Sequence, residues 1–134
     1  MTRERFEVEH RDAESRYVLI DRGEDGSGAQ EIGEESYVDV AADDAAAEAA
    51  GDARPRAGAV QRVLFHTFVS EAYAGQGLAS MLVRTVVDDL IAAGRAVVPV
   101  CPYVAGWLRK HPEYAAHEVA PTPRHLRAVR RQQR

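Results

Sequence analysis

Apolar and polar residues alternate with a period of two at the start of the chain. Phe6-Glu-Val-Glu-His10 is such a stretch, and Arg16-Tyr-Val-Leu-Ile-Asp21 follows after a short turn at Asp12-Ala-Glu-Ser15. Both predict strands, the first half-buried. Arg22–Gly28 is a loop by its glycine, Asp and Ser content. Glu31–Val40 predicts a third strand, with Tyr37, Val38 and Val40 as its best β-formers. Val60–Val69 predicts a fourth. The period then changes: Leu78, Leu82, Val86 and Leu90 form one stripe, with Ala79, Val83 and Ile91 beside them. Arg84 and Asp88 face away, so a helix is expected from about Gly75–Gly77 to Ala93, stopped by Gly94. Ala96–Val100 is a continuous apolar run, the pattern of a buried parallel strand. A right-handed crossover from the fourth strand through the helix would make it the fifth. Pro102–Lys110 predicts a second helix, with proline in its first turn and Val104, Trp107 and Leu108 to bury.

The expected fold is therefore α/β (α+β), a compact mixed sheet of about five strands around a central strand–helix–strand crossover. The 134 residues suit one domain. We expect it to span residues 1–120, with 121–134 as a basic C-terminal tail. Residues 41–58 hold Ala, Asp, Glu and Gly and no large apolar side chain. A mobile acidic loop is expected there.

Composition narrows the setting. No run approaches the roughly 20 apolar residues of a membrane span, and Met1–Glu7 lacks the apolar segment of a secretory signal. The single Cys cannot form an internal disulfide. A cytoplasmic protein is expected. The net charge of −4 hides an asymmetry. Ten acids and no Lys or Arg fall between Glu24 and Asp52, whereas five Arg and no acid fall between Pro121 and Arg134. The acidic stretch would draw a cationic partner or serve as a solubilising surface. The Arg residues of the tail repeat at near-helical spacing. They suit a frayed basic terminus, or contact with nucleic acid or with the acidic stretch of another copy. Net acidity and the lack of interleaved aromatics weigh against nucleic acid.

The chemistry concentrates between the fourth strand and the helix, in Ala74-Gly75-Gln76-Gly77-Leu78-Ala79-Ser80. Two glycines two apart expose successive N–H groups, and the helix adds its unpaired N–H groups and the positive end of its dipole. That is an anion seat, most often for phosphate. It is not a Walker loop, because Leu78 and Ala79 stand where Lys and Ser/Thr would be needed. The dinucleotide fingerprint also fails: Ser80 stands at its third glycine, and no acidic residue follows at the right distance.

The stretch resembles the acyl-CoA seat of the GNAT superfamily of N-acetyltransferases. Gly77-Leu78-Ala79 matches the second half of Gln/Arg-x-x-Gly-x-Gly/Ala, and Ala74 departs from its first position. Three further signatures stand in the right order: His66-Thr67-Phe68-Val69, Pro99-Val100-Cys101-Pro102-Tyr103-Val104 and His111-Pro112-Glu113-Tyr114. Together they resemble the small, single-domain YjdJ-type branch from about Phe6 to Tyr114, with 41–58 as an insertion. The resemblance implies transfer of an acetyl group from acetyl-CoA to an amine. It implies that Phe68, Val69, Ala74, Gly75, Gln76, Gly77, Leu78, Ala79 and Ser80 hold the CoA, with the pyrophosphate on Gly75–Ser80. A backbone N–H around Phe68–Val69 would hold the thioester carbonyl. It further implies that the fourth and fifth strands splay apart at their C-terminal ends, which would explain a proline at position 99 of a central strand. The last strands that close the acceptor pocket in longer members would be absent.

Three side chains are candidates for the chemistry. Cys101 stands where the fifth strand ends, as a nucleophile or proton relay, or else as a small buried hydrophobe. His66 is a candidate base or a hydrogen-bonded structural residue. Alternation pairs His66 with Phe68 on one face and Thr67 with Val69 on the other, so a Cys–His relay requires Cys101 on the His66 side. Tyr103, or less directly Tyr114, could protonate the departing thiolate, or pack with its hydroxyl at the surface. Glu71 reads as a solvated loop carboxylate. No metal-ligand spacing is visible among five His and one Cys. Polyamine, aminoglycoside and Lys-bearing protein are the acceptors compatible with the acidic stretch. The alternative class is a non-catalytic acyl-CoA-binding module.

Overall fold

The computed structural model describes residues 5–42 and 60–133. Five strands form one sheet in the order β1-β2-β3-β4-β5: β1 Phe6–Arg11, β2 Arg16–Asp21, β3 Gln30–Ala41, β4 Val60–Val69 and β5 Ala96–Pro99. The first four pair antiparallel and β5 pairs parallel to β4, as a crossover connection requires. That crossover is α1, Leu78–Ala92. Helix α2, Pro102–Arg109, follows β5, and α3, Pro123–Gln132, ends the described chain. Most of residues 41–58, expected as an acidic loop, lie outside the described residues.

The α1 stripe has the predicted register. Leu78, Leu82, Val83, Val86, Val87 and Leu90 are buried against Leu19, Tyr37 and Leu64 of the sheet and Val104, Trp107 and Leu108 of α2. Each such side chain contributes about 1.5–3 kcal/mol of burial. A polar network passes through this layer. The buried Arg62 stacks over Tyr37 at 3.8 Å, pairs with Asp39 at 2.7 Å and donates to the Tyr17 hydroxyl at 2.9 Å. Tyr17 in turn donates to Asp89 of α1 at 2.7 Å, which fixes the helix along the sheet.

Two β-bulges set which residues face this layer. Register shifts between Leu19 and Ile20, so that Ile32 is the extra residue on β3. A second shift lies between Ser36, which pairs with His66, and Tyr37, which pairs with Leu64, leaving Phe65 extra on β4. After it, Thr67 and Val69 rather than His66 and Phe68 share the α1 side with Leu64.

The segment expected as a frayed basic tail is instead helix α3, docked on the opposite face. Val129 packs with Val63 and Val98, and Val38, Phe65 and Val119 flank them. Thr122 and His125 form its capping box, with Pro123 in the first turn. Arg124 reaches back to the Ala41 carbonyl. The near-helical Arg spacing marked the solvent face of a helix whose other face is apolar. No helix among the described residues is long and apolar enough to cross a membrane.

His125 closes the α3 contact through Gln61 Oε1, 2.7 Å from its Nε2. Burial, with Arg124 nearby, pushes this imidazole below its ordinary value. The unfolded chain then binds the extra proton, so this contribution to stability is present above about pH 6.5 and falls as pH drops below it. Urea denaturation at pH 5 and pH 7 is expected to show the wild type losing more stability at pH 5 than His125→Gln does.

Candidate active site

Pairing of β4 with β5 ends at Leu64 and Pro99. The Leu64 carbonyl then accepts two N–H groups, from Val100 at 3.1 Å and Cys101 at 2.9 Å. Beyond this point β4 stays with β3 as far as Val69, while the other chain turns into α2 at Pro102. The strands fork, and the expected splay is present with Pro99 as its last paired residue.

A cleft of about 360 Å³ opens above the fork. Thr67 and Val69 line one wall, Tyr103 the other, and Ala74–Ser80 (without Gln76) the floor. Gly75 and Gly77 have φ of 82° and 74°, in the left-handed region that favours glycine. A Cβ built on either meets nothing within 4 Å, so the space above both is open. Gly77 is also the N-cap of α1, and no side chain caps that end. The first-turn N–H groups are thus left for an incoming acceptor, as a phosphate would supply. Gln76 faces a neighbouring hollow of about 580 Å³, shared with Ser80 and Arg84. The turn is anchored from beneath: Tyr73 donates to Asp21, which also accepts from Arg5 at 2.8 Å and from the Gly23 N–H at 2.8 Å. These bonds hold the Asp21 carboxylate well below the usual range, Arg5 contributing most.

The candidate catalytic side chains divide. Cys101 is buried, at 7% exposure, and does not itself line the cleft; its Sγ is 3.3 Å from the Oγ1 of Thr67, which does. His66 is on the other face of β4, half exposed, 3.7 Å from Glu34. The Cys–His relay is therefore not formed, because the Phe65 bulge turns Thr67 and not His66 toward Cys101. Phe68, expected along the CoA, is 50% exposed on the His66 side and does not line the cleft, whereas Val69 does. Tyr103 is at the mouth, 42% exposed, and burial pushes its phenol up. Tyr114 is occupied elsewhere, donating to Asp88 at 2.8 Å and accepting from Arg84 at 3.1 Å. Among the described residues no group of His, Cys, Asp or Glu could hold a metal ion.

One residue the sequence reading passed over belongs here. Glu35 of β3 is fully buried and accepts from Thr67 Oγ1 at 2.5 Å, and its Oε2 has no hydrogen-bond partner among the described residues. Sequence reasoning counted it among the surface acids of the 24–52 stretch. It is two residues before Tyr37, and so on the same inward face; that period was the available signal.

Residues 28–117 match the family model of the GCN5-related N-acetyl-transferases. The chain belongs to that family. Among solved structures, a GCN5-like protein from Staphylococcus aureus, determined by NMR, shares the N-acetyltransferase fold. It aligns with a TM-score of 0.53 at 16% identity, over 90% of this chain and 95% of that one. Two others align less well, both with a TM-score of 0.42. The NatC complex bound to Gag peptide and CoA is 17% identical over 61% of this chain and 43% of its own. A mutant AtaT toxin bound to the antitoxin AtaR C-terminus and acetyl-CoA is 14% identical over 72% and 57%. The sequence matches no curated protein.

Within this N-acetyltransferase the positive φ of Gly77 has a measurable cost. Gly77→Ala is expected to lower stability by about 1 kcal/mol in urea denaturation, through backbone strain alone, since the added methyl meets open space.

Proposed function

We propose that this protein transfers the acetyl group of acetyl-CoA to an amine acceptor. The observation that carries the proposal is the uncapped, open glycine turn at the N-terminus of α1, set directly beside a forked β4/β5 edge. The residues present fit acetyl-CoA. Gly75–Ser80 supply N–H groups for the pyrophosphate, and the fork leaves an unpaired strand edge for the pantetheine arm. Acetyl-CoA supplies a thioester, whose carbonyl carbon is open to attack by a nucleophile. Ala74, where the family pattern has Gln or Arg, leaves the seat to backbone groups.

Tyr103 supports the reaction as proton donor to the leaving thiolate. Its phenol faces the cleft and burial keeps it protonated at neutral pH. His66 is left without a role in the cleft and is read as a surface residue paired with Glu34. The acidic stretch supports a cationic acceptor less than its composition suggests. Glu31 pairs with Arg11 at 2.9 Å, Glu34 with Arg16 at 2.9 Å and Asp39 with Arg62, and Glu35 is buried. Amines of small molecules and of proteins are both compatible with the open side of the fork.

Thermal shift tests the donor. Acetyl-CoA and CoA are expected to raise the melting temperature through binding to the native state, while ATP and NAD are not. Gly77→Glu should abolish the shift by placing a carboxylate in the anion seat. No shift with either CoA species overturns the proposal. With binding intact, Tyr103→Phe is expected to slow CoA release in the presence of mixed amines about a hundredfold. A rate equal to wild type would remove Tyr103 from the reaction.

A further inference from the structure

The Glu35–Thr67–Cys101 cluster is built differently from the rest of the core. Glu35 and Cys101 come from β3 and from the turn after β5, on either side of β4. The Thr67 hydroxyl stands between them, 2.5 Å from Glu35 Oε1 and 3.3 Å from Cys101 Sγ. Packing gives no reason for a carboxyl at this position. Among the described residues Glu35 has no basic partner and its Oε2 has no hydrogen bond, and its neighbours on the same face are Gly33 and Tyr37. A buried acid whose polar company is the Thr67 hydroxyl and the His66 backbone N–H is a costly residue unless its proton is used.

The hydroxyl is suited to that use. It has one hydrogen to give and lone pairs to receive. When Glu35 is ionised, Thr67 donates to it and accepts from the Cys101 S–H. When Cys101 is the thiolate, Thr67 donates to sulfur and accepts from the Glu35 O–H. The two arrangements differ only by a shift of two protons along a line, and the net charge of the cluster is the same in both.

We propose that Glu35, acting through the Thr67 hydroxyl, is the proton acceptor that turns Cys101 into a nucleophile for a thioester in the cleft. This rests on the acyl-donor reading above and names how that site would work. An ordinary carboxylate is about ten-thousand-fold too weak a base for a thiol. Burial narrows that difference, because it pushes the Glu35 carboxyl well above its usual range, with the nearby Cys101 adding to the effect.

The step balances. The thiol proton passes to Thr67 as the Thr67 proton passes to Glu35. A bond forms between Cys101 sulfur and the acetyl carbon, and the carbon–sulfur bond to CoA breaks. CoA leaves as a thiolate that takes its proton at the mouth of the cleft, from Tyr103 or water. An amine then attacks the acetylated Cys101. The carbon–nitrogen bond forms, the carbon–sulfur bond breaks, and Glu35 returns its proton to Cys101 through Thr67. The new amide gives its surplus proton to water. Glu35 and Thr67 are positioning residues here, and Cys101 is the group that touches substrate.

The protein has one cysteine, so alkylation by iodoacetamide followed by intact mass reports Cys101 alone and needs no CoA. In wild type the alkylation rate is expected to rise to a plateau and change less than about threefold between pH 6 and pH 8, because one negative charge is shared across the cluster. Glu35→Gln should remove the plateau, leaving a rate that climbs about tenfold per pH unit, as for an isolated thiol below its pKa. Thr67→Val should lose the plateau as well, and Thr67→Ser should restore it. Circular dichroism confirms folding of each variant, and the Thr67 pair carries the test if Glu35→Gln does not fold. A Glu35→Gln or Thr67→Val profile that overlays wild type overturns the relay, as does a folded wild type that is never alkylated.

A second arm uses acetyl-CoA without an amine, where an acetyl mark on Cys101 is expected. Binding by thermal shift without that mark overturns the nucleophile. The alkylation plateau with neither binding nor mark leaves the relay standing and overturns the acetyl-CoA reading instead.

Discussion

The carbonyl of Leu64 is where the sheet divides, and the site depends on that division. A parallel pair would ordinarily continue with evenly spaced bonds. Here β5 is the edge strand, Pro99 is its last paired residue, and the next two donors, Val100 and Cys101, converge on one acceptor. The β5 chain cannot advance along β4 after that. It turns outward, and Pro102 starts α2 in the only part of a helix where a missing N–H costs nothing. The result is a strand edge with open space beside it and a tyrosine on the rim, with the buried Cys101 against Thr67 of the wall.

The bulges decide what looks into that space. Each inserts one residue and reverses the inward set of everything after it. Phe65 as the extra residue on β4 turns Thr67 and Val69 inward and leaves His66 and Phe68 outside. Ile32 as the extra residue on β3 lets Gly33, Glu35 and Tyr37 face inward beside them. Gly33 is required by the same geometry, since a Cβ there would lie 2.6 Å from the Phe68 carbonyl oxygen. The close approach of β3 to the end of β4 and the inward Glu35 thus share one origin.

Much of this architecture was legible in the sequence. β2 and β4 fall where their apolar, β-forming stretches put them, and α1 runs from the turn to Ala92 with its stripe inward. The family resemblance, with its splayed fourth and fifth strands, accounts for Pro99, but β5 is an edge strand and not the central one expected, and an edge tolerates a proline. The glycine turn was legible because φ above zero favours glycine. The errors have a common cause. Period-two arithmetic assumes unbroken register, so it could state that His66 and Thr67 face opposite ways but not which of them meets Cys101. Glu35 was hidden by composition, being one acid among ten. The helix at 123–132 was hidden by its charge: the Arg spacing was noticed, while His125, Ala128 and Val129, three and four apart on the other side, were not weighed.

Donor binding and chemistry are supported from different directions. The glycine turn is tied down at Tyr73, through Asp21 of β2, to Arg5 beside β1. Cys101 is held by the Leu64 carbonyl of β4, and its partner Thr67 by Glu35 of β3. Neither set of bonds passes through the other. Loosening the turn therefore changes what the anion seat can grip without moving the thiol. On the proposed relay, altering Glu35 would change the proton on the thiol without touching the seat. A fold in which these supports were shared would couple affinity to reactivity, and a weak first position such as Ala74 would degrade both. Here the two sets of supports are separate, although Thr67 and the turn line one cleft.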